Sequence, residues 1–395
     1  MTAAAPLKLV LISRRYPPLI GGAERVLGYL AEALAREGAD VAVLTSAVGE
    51  AARLPAREEF DQPRSRGGGR LVVHRLPTSP LRFVGTWLYM RNLTRWLKAN
   101  PVDLAYVSML KHDAHAALGV AARRGFPVVL RPEGAGDTGD VAWQRKGNFG
   151  ARIARRCKQA DAYIAISRPV RAELTAAGYD ADRIHDVPNG APVPSRPWQR
   201  REGWRDAPRA VFVGRLAPEK NLHTLLRAWR IVRGTFPKAK LVLIGEGPER
   251  PALASLADEL SLGADALAMP GATEDVEAEL RAADLFVLPS TEEGMSIALL
   301  EAMAVGVPVV ASAIPGNRRL IVDFKHGRLA PPDSANGLAA AIVEQWSNFD
   351  RAFHMSRAAR GRVEREFSIR AVARRHLQLF HDVIARRRSD QGNGV

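Results

Sequence analysis

Short, nearly continuous apolar runs recur along the chain, each followed by a Gly-, Pro- or polar-rich loop and then by a stretch of helical spacing. KLVLIS, DVAVLTS, LVVHRLP, VDLAYVS, FPVVL and ADAYIAIS mark the first half; RAVFV, KLVLIG, LFVLP and VPVVAS mark the second. Runs without polar alternation suit strands buried on both faces, and their alternation with helices predicts an α/β protein with a doubly wound parallel sheet in each half. In the first helix Val26, Leu27, Leu30, Ala33 and Leu34 form the apolar stripe, and Gly38 ends it. The stretch 80–98 predicts another helix, with Phe83, Trp87, Leu88, Trp96 and Leu97 among Arg82, Arg91, Arg95 and Lys98. A crossover helix packed on the sheet is the plainer expectation, and a face lying on a membrane surface the sharper one. Residues 49–70 read as a polar loop, and Asp180-x-Asp182 as a solvated turn.

The pattern is densest over 285–311, LFVLPSTEEGMSIALLEAMAVGVPVVA, which predicts strand, loop, helix and strand. Ser296 suits the N-cap and Gly306 the stop. Glu293 and Glu301 bracket the helix start eight residues apart, about 12 Å if helical throughout. Backbone N–H groups between them lack intrahelical partners and suit a phosphate. The segment therefore reads as a three-point grip on an elongated anion. Arg215 and Lys220 follow the strand RAVFV, where two cations beside Gly214 favour phosphate. Gly245-x-Gly247 and the loop with Arg131, Glu133 and Gly134 also follow strands, where ligands sit in such sheets; Gly21-Gly22 do too, although a plain turn is the plainer reading of that pair alone. His112 and His115 occupy a similar place, although surface histidines are the plainer reading.

Length changes the picture from one domain to two. The expected division is 1–194, a Pro- and Arg-rich linker over 195–208, a second domain over 209–366, and a final helix with a basic tail over 367–395. That helix carries an apolar stripe with Val372, Leu377, Phe380 and Ile384, and is expected to cross back onto the first domain. The formal charge is +15, carried mostly by arginine. A solvated Arg-rich surface explains it as well as attraction to anionic lipid does; no zinc spacing, RNP pattern or basic heptad array points to nucleic acid. The one cysteine, Cys157, allows no internal disulfide and fits a reducing compartment. The N-terminal run lacks a basic n-region and is too short for a signal peptide, so a cytoplasmic protein is the expectation, with peripheral attachment to the inner membrane face the further reading that the Arg-rich surface and the 80–98 stretch leave open. No carboxylate cluster predicts a metal, and no G-x-G-x-x-G predicts a dinucleotide.

Taken in order, GGAERV, VPNG, VGRLAPEKN, IGEGPER, LPSTEEGMSIALLEAMAVGVPVVAS and HGRLAPPD resemble the retaining nucleotide-sugar glycosyltransferases of family 4. The likeness spans nearly the whole chain and is strongest over 209–335. It implies the GT-B fold, two Rossmann-like domains facing a central cleft, with the first on the acceptor side. It implies transfer of a sugar from a nucleoside-diphosphate sugar, as co-substrate, to the hydroxyl of a glycan, lipid-linked or small-molecule acceptor, with no other cofactor and no metal.

Carried over by position, Glu293 lies beside the donor sugar, with Gly294, Met295 and Ser296 near sugar and phosphate and Ser290 preceding them. Glu301 meets the ribose hydroxyls, Arg215 and Lys220 neutralise the diphosphate, and Gly245 and Gly247 lie near the nucleoside. Gly22 lets the first loop close over the phosphates. Many relatives carry a histidine where this chain has Glu133, and an acid at the place of Arg319; a carboxylate only accepts hydrogen bonds and reads sugar hydroxyls differently. A nucleotide-sugar epimerase or hydrolase on the same fold, or an inactive binding protein, are the rival readings.

Overall fold

The computed structural model describes residues 5–392 apart from 20, 61–68, 138 and 148. The chain divides into two compact units. Met1–Leu19, Ala23–Asn189 and Ile369–Val395 form the first; Ile20–Gly22 and Gly190–Ser368 form the second.

The first unit contains β1 (Lys8–Ile12), β2 (Asp40–Ser46), β3 (Arg57–Phe60), β4 (Leu71–Leu76), β5 (Leu104–Ser108), β6 (Val128–Arg131), β7 (Ala162–Ala165) and β8 (Ile184–Asp186). They form one sheet in the order β3-β4-β2-β1-β5-β6-β7-β8, parallel except for β3. The second unit contains β9 (Arg209–Val213), β10 (Lys240–Ile244), β11 (Leu267–Gly271), β12 (Leu285–Leu288), β13 (Val309–Ser312) and β14 (Arg328–Ala330). Here the order is β11-β10-β9-β12-β13-β14, wholly parallel. The apolar runs supply the centres: Leu9–Ile12 of β1 and Leu285–Leu288 of β12 are fully buried, as strands covered by helices on both faces must be.

Strand order reverses direction between β1 and β5 in the first unit and between β9 and β12 in the second. Loops leaving adjacent strands in opposite directions open a crevice at the carboxyl ends, where ligands bind in such sheets. Gly22, His112, Arg215, Lys220 and Glu293 lie after these strands, whereas Glu133 follows β6 and Gly245 and Gly247 follow β10.

Two stretches differ from expectation. The polar segment 49–70 contains a 3₁₀ turn, Gly49–Arg53, and the edge strand β3, paired antiparallel with β4. The sequence REEF carries three charges in four residues, so it has no apolar signature; the same charges suit an edge exposed to water. Its Gly-rich end, 61–68, lies outside the described residues. The stretch 195–208 packs on the second unit. Trp198 is buried, its indole N–H donating to Ala283 O at 2.8 Å, and the Trp204 ring centre lies 4.2 Å from that of Phe349. Asp180 does form a turn, its side chain accepting from the Asp182 N–H.

The helix Arg82–Ala99 has two distinct faces. Tyr89, Leu93 and Leu97, one turn apart, are fully buried in the first unit's core. Leu81, just before the helix, and Phe83, Val84 and Trp87 are exposed, Phe83 by 77% and Trp87 by 62%. No helix among the described residues is long and apolar enough to cross a membrane.

The last helix, Ile369–Gly392, belongs to the first unit. Its apolar stripe buries Val372, Phe380 and Ile384, and His376 and Phe380 stack edge-on against Tyr106 of β5. Arg370 and Arg374 both pair with Glu37, at 2.8 and 2.9 Å, and Arg387 pairs with Asp161 at 3.1 Å.

Candidate active site

In the second unit the loops after β9 and β12 meet at the reversal of strand order. The loop after β9 passes Gly214 and Arg215 and tightens into a 3₁₀ turn, Pro218–Lys220. Asn221 then adopts a left-handed conformation before the next helix, Leu222–Thr235. Its amide donates to Asp333 at 2.9 Å, and its carbonyl accepts from the Thr224 hydroxyl at 2.8 Å. The two loops are tied by backbone, Thr291 N–H donating to Glu219 O at 3.0 Å.

This brings Lys220 and Glu293, 73 residues apart in sequence, to 2.7 Å between Nζ and Oε1. The Ser290 hydroxyl donates to the same carboxylate oxygen at 2.8 Å. Ser290 is itself held from below. Its carbonyl accepts from the Ser312 hydroxyl at the end of β13, and Asn317 donates its amide to Ser312 O at 3.0 Å. Gly316 lies under the backbone of Glu293, where a Cβ would collide with the Glu293 carbonyl oxygen, so only glycine admits this approach. The Glu293 carboxylate is thus fixed by a cation, a hydroxyl and a supporting polar chain.

Glu293 lies in the loop, three residues before the helix-capping Ser296, so the interval to Glu301 is not helical throughout. The helix Ile297–Val305 is capped by Ser296, whose side chain accepts from Leu299 N–H, and stops at Gly306 in left-handed conformation. Glu301 is buried in its second turn. Gly294 is half-buried, and Met295 and Ser296 are buried, in the approach to the helix. The first amides of this helix have no intrahelical acceptor and carry the positive end of its dipole.

Arg215 is exposed, with no ion pair or hydrogen bond among the described residues. The two cations thus have different settings: Lys220 is neutralised by Glu293, whereas Arg215 is available to an incoming anion. The loop after β10 lies alongside. Gly245 donates its N–H to Gly271 O, and a Cβ on it would collide with the Gly214 carbonyl oxygen; Gly247 follows it in the same loop.

Gly22 opens the helix Gly22–Arg36, whose residues from Ala23 onward belong to the first unit. Glu133 lies past the end of β6 and is not an open carboxylate. Its side chain is only 16% exposed, and its Oε1 accepts from Arg131 Nη1 at 2.6 Å and from the Ser108 hydroxyl. Arg131, buried to 4% exposure, donates its other arm to Asn189 Oδ1 at 2.7 Å. The backbone N–H of Glu133 donates to Asp140 Oδ2 at 2.8 Å, and Leu110 N–H to Oδ1 at 3.1 Å. Burial raises the Asp140 carboxyl above its usual range.

Two buried acids, Asp113 and Asp140, went unremarked in the sequence, because an acid beside a helix start ordinarily reads as a solvated cap. Asp113 lies in the first turn of the helix His112–Arg124, after β5, and burial pushes it up to about 6 against the pull of Arg14 and Lys111. His112 begins that helix with its ring edge-on to Trp143. His115 faces Arg156 Nη1 at 3.0 Å, and burial, with that guanidinium, lowers it to about 4, so it acts as a neutral packing group. Among the described residues no group of three or more His, Cys, Asp or Glu is placed to hold a metal.

Each unit is thus an α/β sheet with a reversal of strand order, and the second presents a fixed Lys–Glu–Ser cluster at its reversal. The family model described as Glycosyltransferase Family 4 matches residues 20–194, and the one described as Glycosyl transferases group 1 matches 195–362. The chain belongs to the family 4 glycosyltransferases. It is 26% identical to a glycogen synthase of Mycobacterium tuberculosis, over 95% of this chain and 94% of the relative. It is also 26% identical to a GDP-mannose-dependent alpha-(1-6)-phosphatidylinositol monomannoside mannosyltransferase of Mycolicibacterium smegmatis, over 89% and 92%. Among solved structures, sucrose-phosphate synthase from Thermosynechococcus elongatus superposes with a TM-score of 0.79 at 23% identity, covering 96% of this chain and 99% of that one. Anabaena HepE in complex with UDP-glucose gives 0.75 at 18%, covering 95% and 100%. These likenesses bear out the two-unit parallel-sheet fold expected from the sequence.

Proposed function

We propose that the enzyme transfers a sugar from a nucleoside-diphosphate sugar to an acceptor hydroxyl with retention of configuration. The observation that carries this reading is the Lys220–Glu293–Ser290 cluster beside an unpaired Arg215 at the β9/β12 reversal. Arg215, Lys220 and the first amides of the helix Ile297–Val305 receive the diphosphate, and Glu301 accepts from the ribose. Glu293 accepts from the sugar hydroxyls with Gly294, Met295 and Ser296 alongside, while Gly245 and Gly247 border the nucleoside. Glu133 remains a proposed reader of sugar hydroxyls and Gly22 a point of close backbone approach. The names of Anabaena HepE with UDP-glucose and of the GDP-mannose-dependent relative support a nucleotide-sugar donor.

In the proposed step the bond from the anomeric carbon to the diphosphate oxygen breaks and a bond to the acceptor oxygen forms on the same face. The acceptor proton passes to the departing diphosphate, which leaves as nucleoside diphosphate. Fixed cations and helix amides stabilise the charge developing on the leaving group. The test is a panel of labelled nucleotide sugars with cell extract and a chelator. One donor is expected to lose its sugar to an acceptor with the chelator present, and Glu293→Ala to abolish the transfer. If no donor is consumed, or Glu293→Ala transfers normally, the reading fails. Nucleotide release without any acceptor would mark a hydrolase instead.

The acceptor we propose is membrane-proximal, at the inner face of the cell membrane. The exposed Phe83, Val84 and Trp87 share their helix with Arg91, whose guanidinium lies 5.5 Å from the Trp87 ring centre, and with Arg95 and Lys98. Aromatic and basic groups together suit an anionic interface. The protein is expected to sediment with anionic vesicles at low salt and to release as salt rises, and Phe83→Ser with Trp87→Ser to abolish binding. Recovery of the unaltered protein in the supernatant at low salt would refute the surface.

A further inference from the structure

The second unit contains a cavity of about 400 Å³ lined by none of the residues assigned above. Its walls are the loop after the helix Pro315–Leu320, the helix Phe349–Arg362 and the π-helical turn Val363–Phe367. The volume lies in the range of small-molecule sites. Lys325, Arg357, Arg362 and Arg365 line it, against the one carboxylate of Glu366.

These four cations are not equally engaged. Arg362 donates to Leu320 O at 3.0 Å and faces Glu366 at 3.4 Å. The side chains of Lys325, Arg357 and Arg365 have no ion pair or hydrogen bond among the described residues. Arg357, Gly361 and Arg365 follow at four-residue spacing along one side of the helix. Arg365 Nη1 lies 3.2 Å from the point a Cβ on Gly361 would occupy, so the glycine leaves room for the guanidinium over the helix. The π turn that carries Arg365 is a rare conformation, frequent at functional sites.

His326 adds a fourth donor of another kind. It is buried, and its Nδ1 accepts from the Val322 N–H at 3.2 Å, which places its proton on Nε2. Burial and then the charges of Arg362 and Lys325 push it down to about 4, so at neutral pH it is an uncharged N–H donor. Three unpaired cations around one concavity repel one another, and a ligand with two or more negative charges converts that repulsion into attraction.

We propose that this cavity is a second anion site, taking a small soluble molecule that bears a phosphate or diphosphate group, held by Lys325, Arg357 and Arg365. It does not depend on the transfer reaction proposed above.

The full chain, isotope-labelled at histidine, is titrated with inorganic diphosphate at low ionic strength. The His326 ring signal is identified by its loss in His326→Gln. It is expected to move with saturation, and Arg357→Gln and Arg365→Gln each to weaken binding about tenfold, the loss of one charge-assisted contact. Thermal unfolding of each variant shows that the fold survives. Lys220→Ala, which alters the other anion site, should leave the His326 response intact. The proposal is overturned if His326 does not respond to millimolar diphosphate, or if the double arginine variant binds as the parent does. It is also overturned if anionic vesicles move the signal and soluble diphosphate does not, which would assign the cations to a lipid headgroup.

Discussion

Lys220→Ala is expected to lower the rate of sugar transfer by about 10²–10³-fold, the usual effect of removing one preorganised group that stabilises a leaving anion. Lys220 has two tasks in the proposed site. Before the donor arrives it neutralises Glu293 at 2.7 Å; afterwards it shares its charge with the diphosphate. Alanine removes both, leaving a half-buried carboxylate facing an incoming polyanion. Both kcat and kcat/KM should fall, because the lost interaction strengthens as the bond to phosphate breaks. Exposed Arg215 anchors the ground state as well, so Arg215→Ala is expected to raise the donor KM more than it lowers kcat. Steady-state kinetics across donor concentrations separate the two. A Lys220→Ala enzyme within about threefold of the parent would remove Lys220 from the transition state.

The second large effect concerns stability. Arg131→Met is expected to destabilise the first unit by about 3–5 kcal/mol, the cost of stranding one partner of a buried ion pair. Methionine fills much of the space, but Glu133 keeps only Ser108, and Asn189 loses the guanidinium it accepts from. Because the two units need not unfold together, a single melting temperature does not isolate the loss. Hydrogen exchange does: β5, β6 and β7 should lose protection while β9, β12 and β13 keep theirs. Adding Glu133→Gln to Arg131→Met should recover a large part of the loss. A single variant as protected as the parent would show that Arg131 does not compensate the Glu133 charge.

These two arrangements show what could be read in the sequence. The buried strands were legible because LFVL or LVLI has no polar position to mislead. Ser296 and Gly306 were legible because cap and stop chemistry is local. Strand β3 was not, since its charged residues answer to an edge that exists only once β4 is in place. The paired glutamates were visible as spacing, whereas the Lys220–Glu293 contact joins loops 73 residues apart and depends on the strand order β9-β12. Glu133 was visible as a departure from the family's histidine. Its engagement with Ser108, Arg131 and Asp140 was not, because those residues come from the ends of different strands and a helix start. The burial of Asp113 and Asp140 is likewise a product of packing, and no local pattern signals it.

The return of the last helix to the first unit has a consequence for biosynthesis. The helix Ile369–Gly392 is made only after the whole of Gly190–Ser368 has been synthesised, on the order of ten seconds or more after Asn189 at ~5–20 residues per second. Through that interval the nascent first sheet carries Tyr106 without the ring of Phe380, and Glu37 without Arg370 and Arg374. The second unit, whose sheet lies wholly within Gly190–Ser368, meets no such delay. Its ends are already together, Ala191 N–H donating to Phe367 O at 3.0 Å, so the emerging helix is delivered next to the point where the chain first left the sheet. Folding of the later unit therefore shortens the search by which the earlier one is completed, and an early stop before Ile369 would release a chain whose first half is never closed.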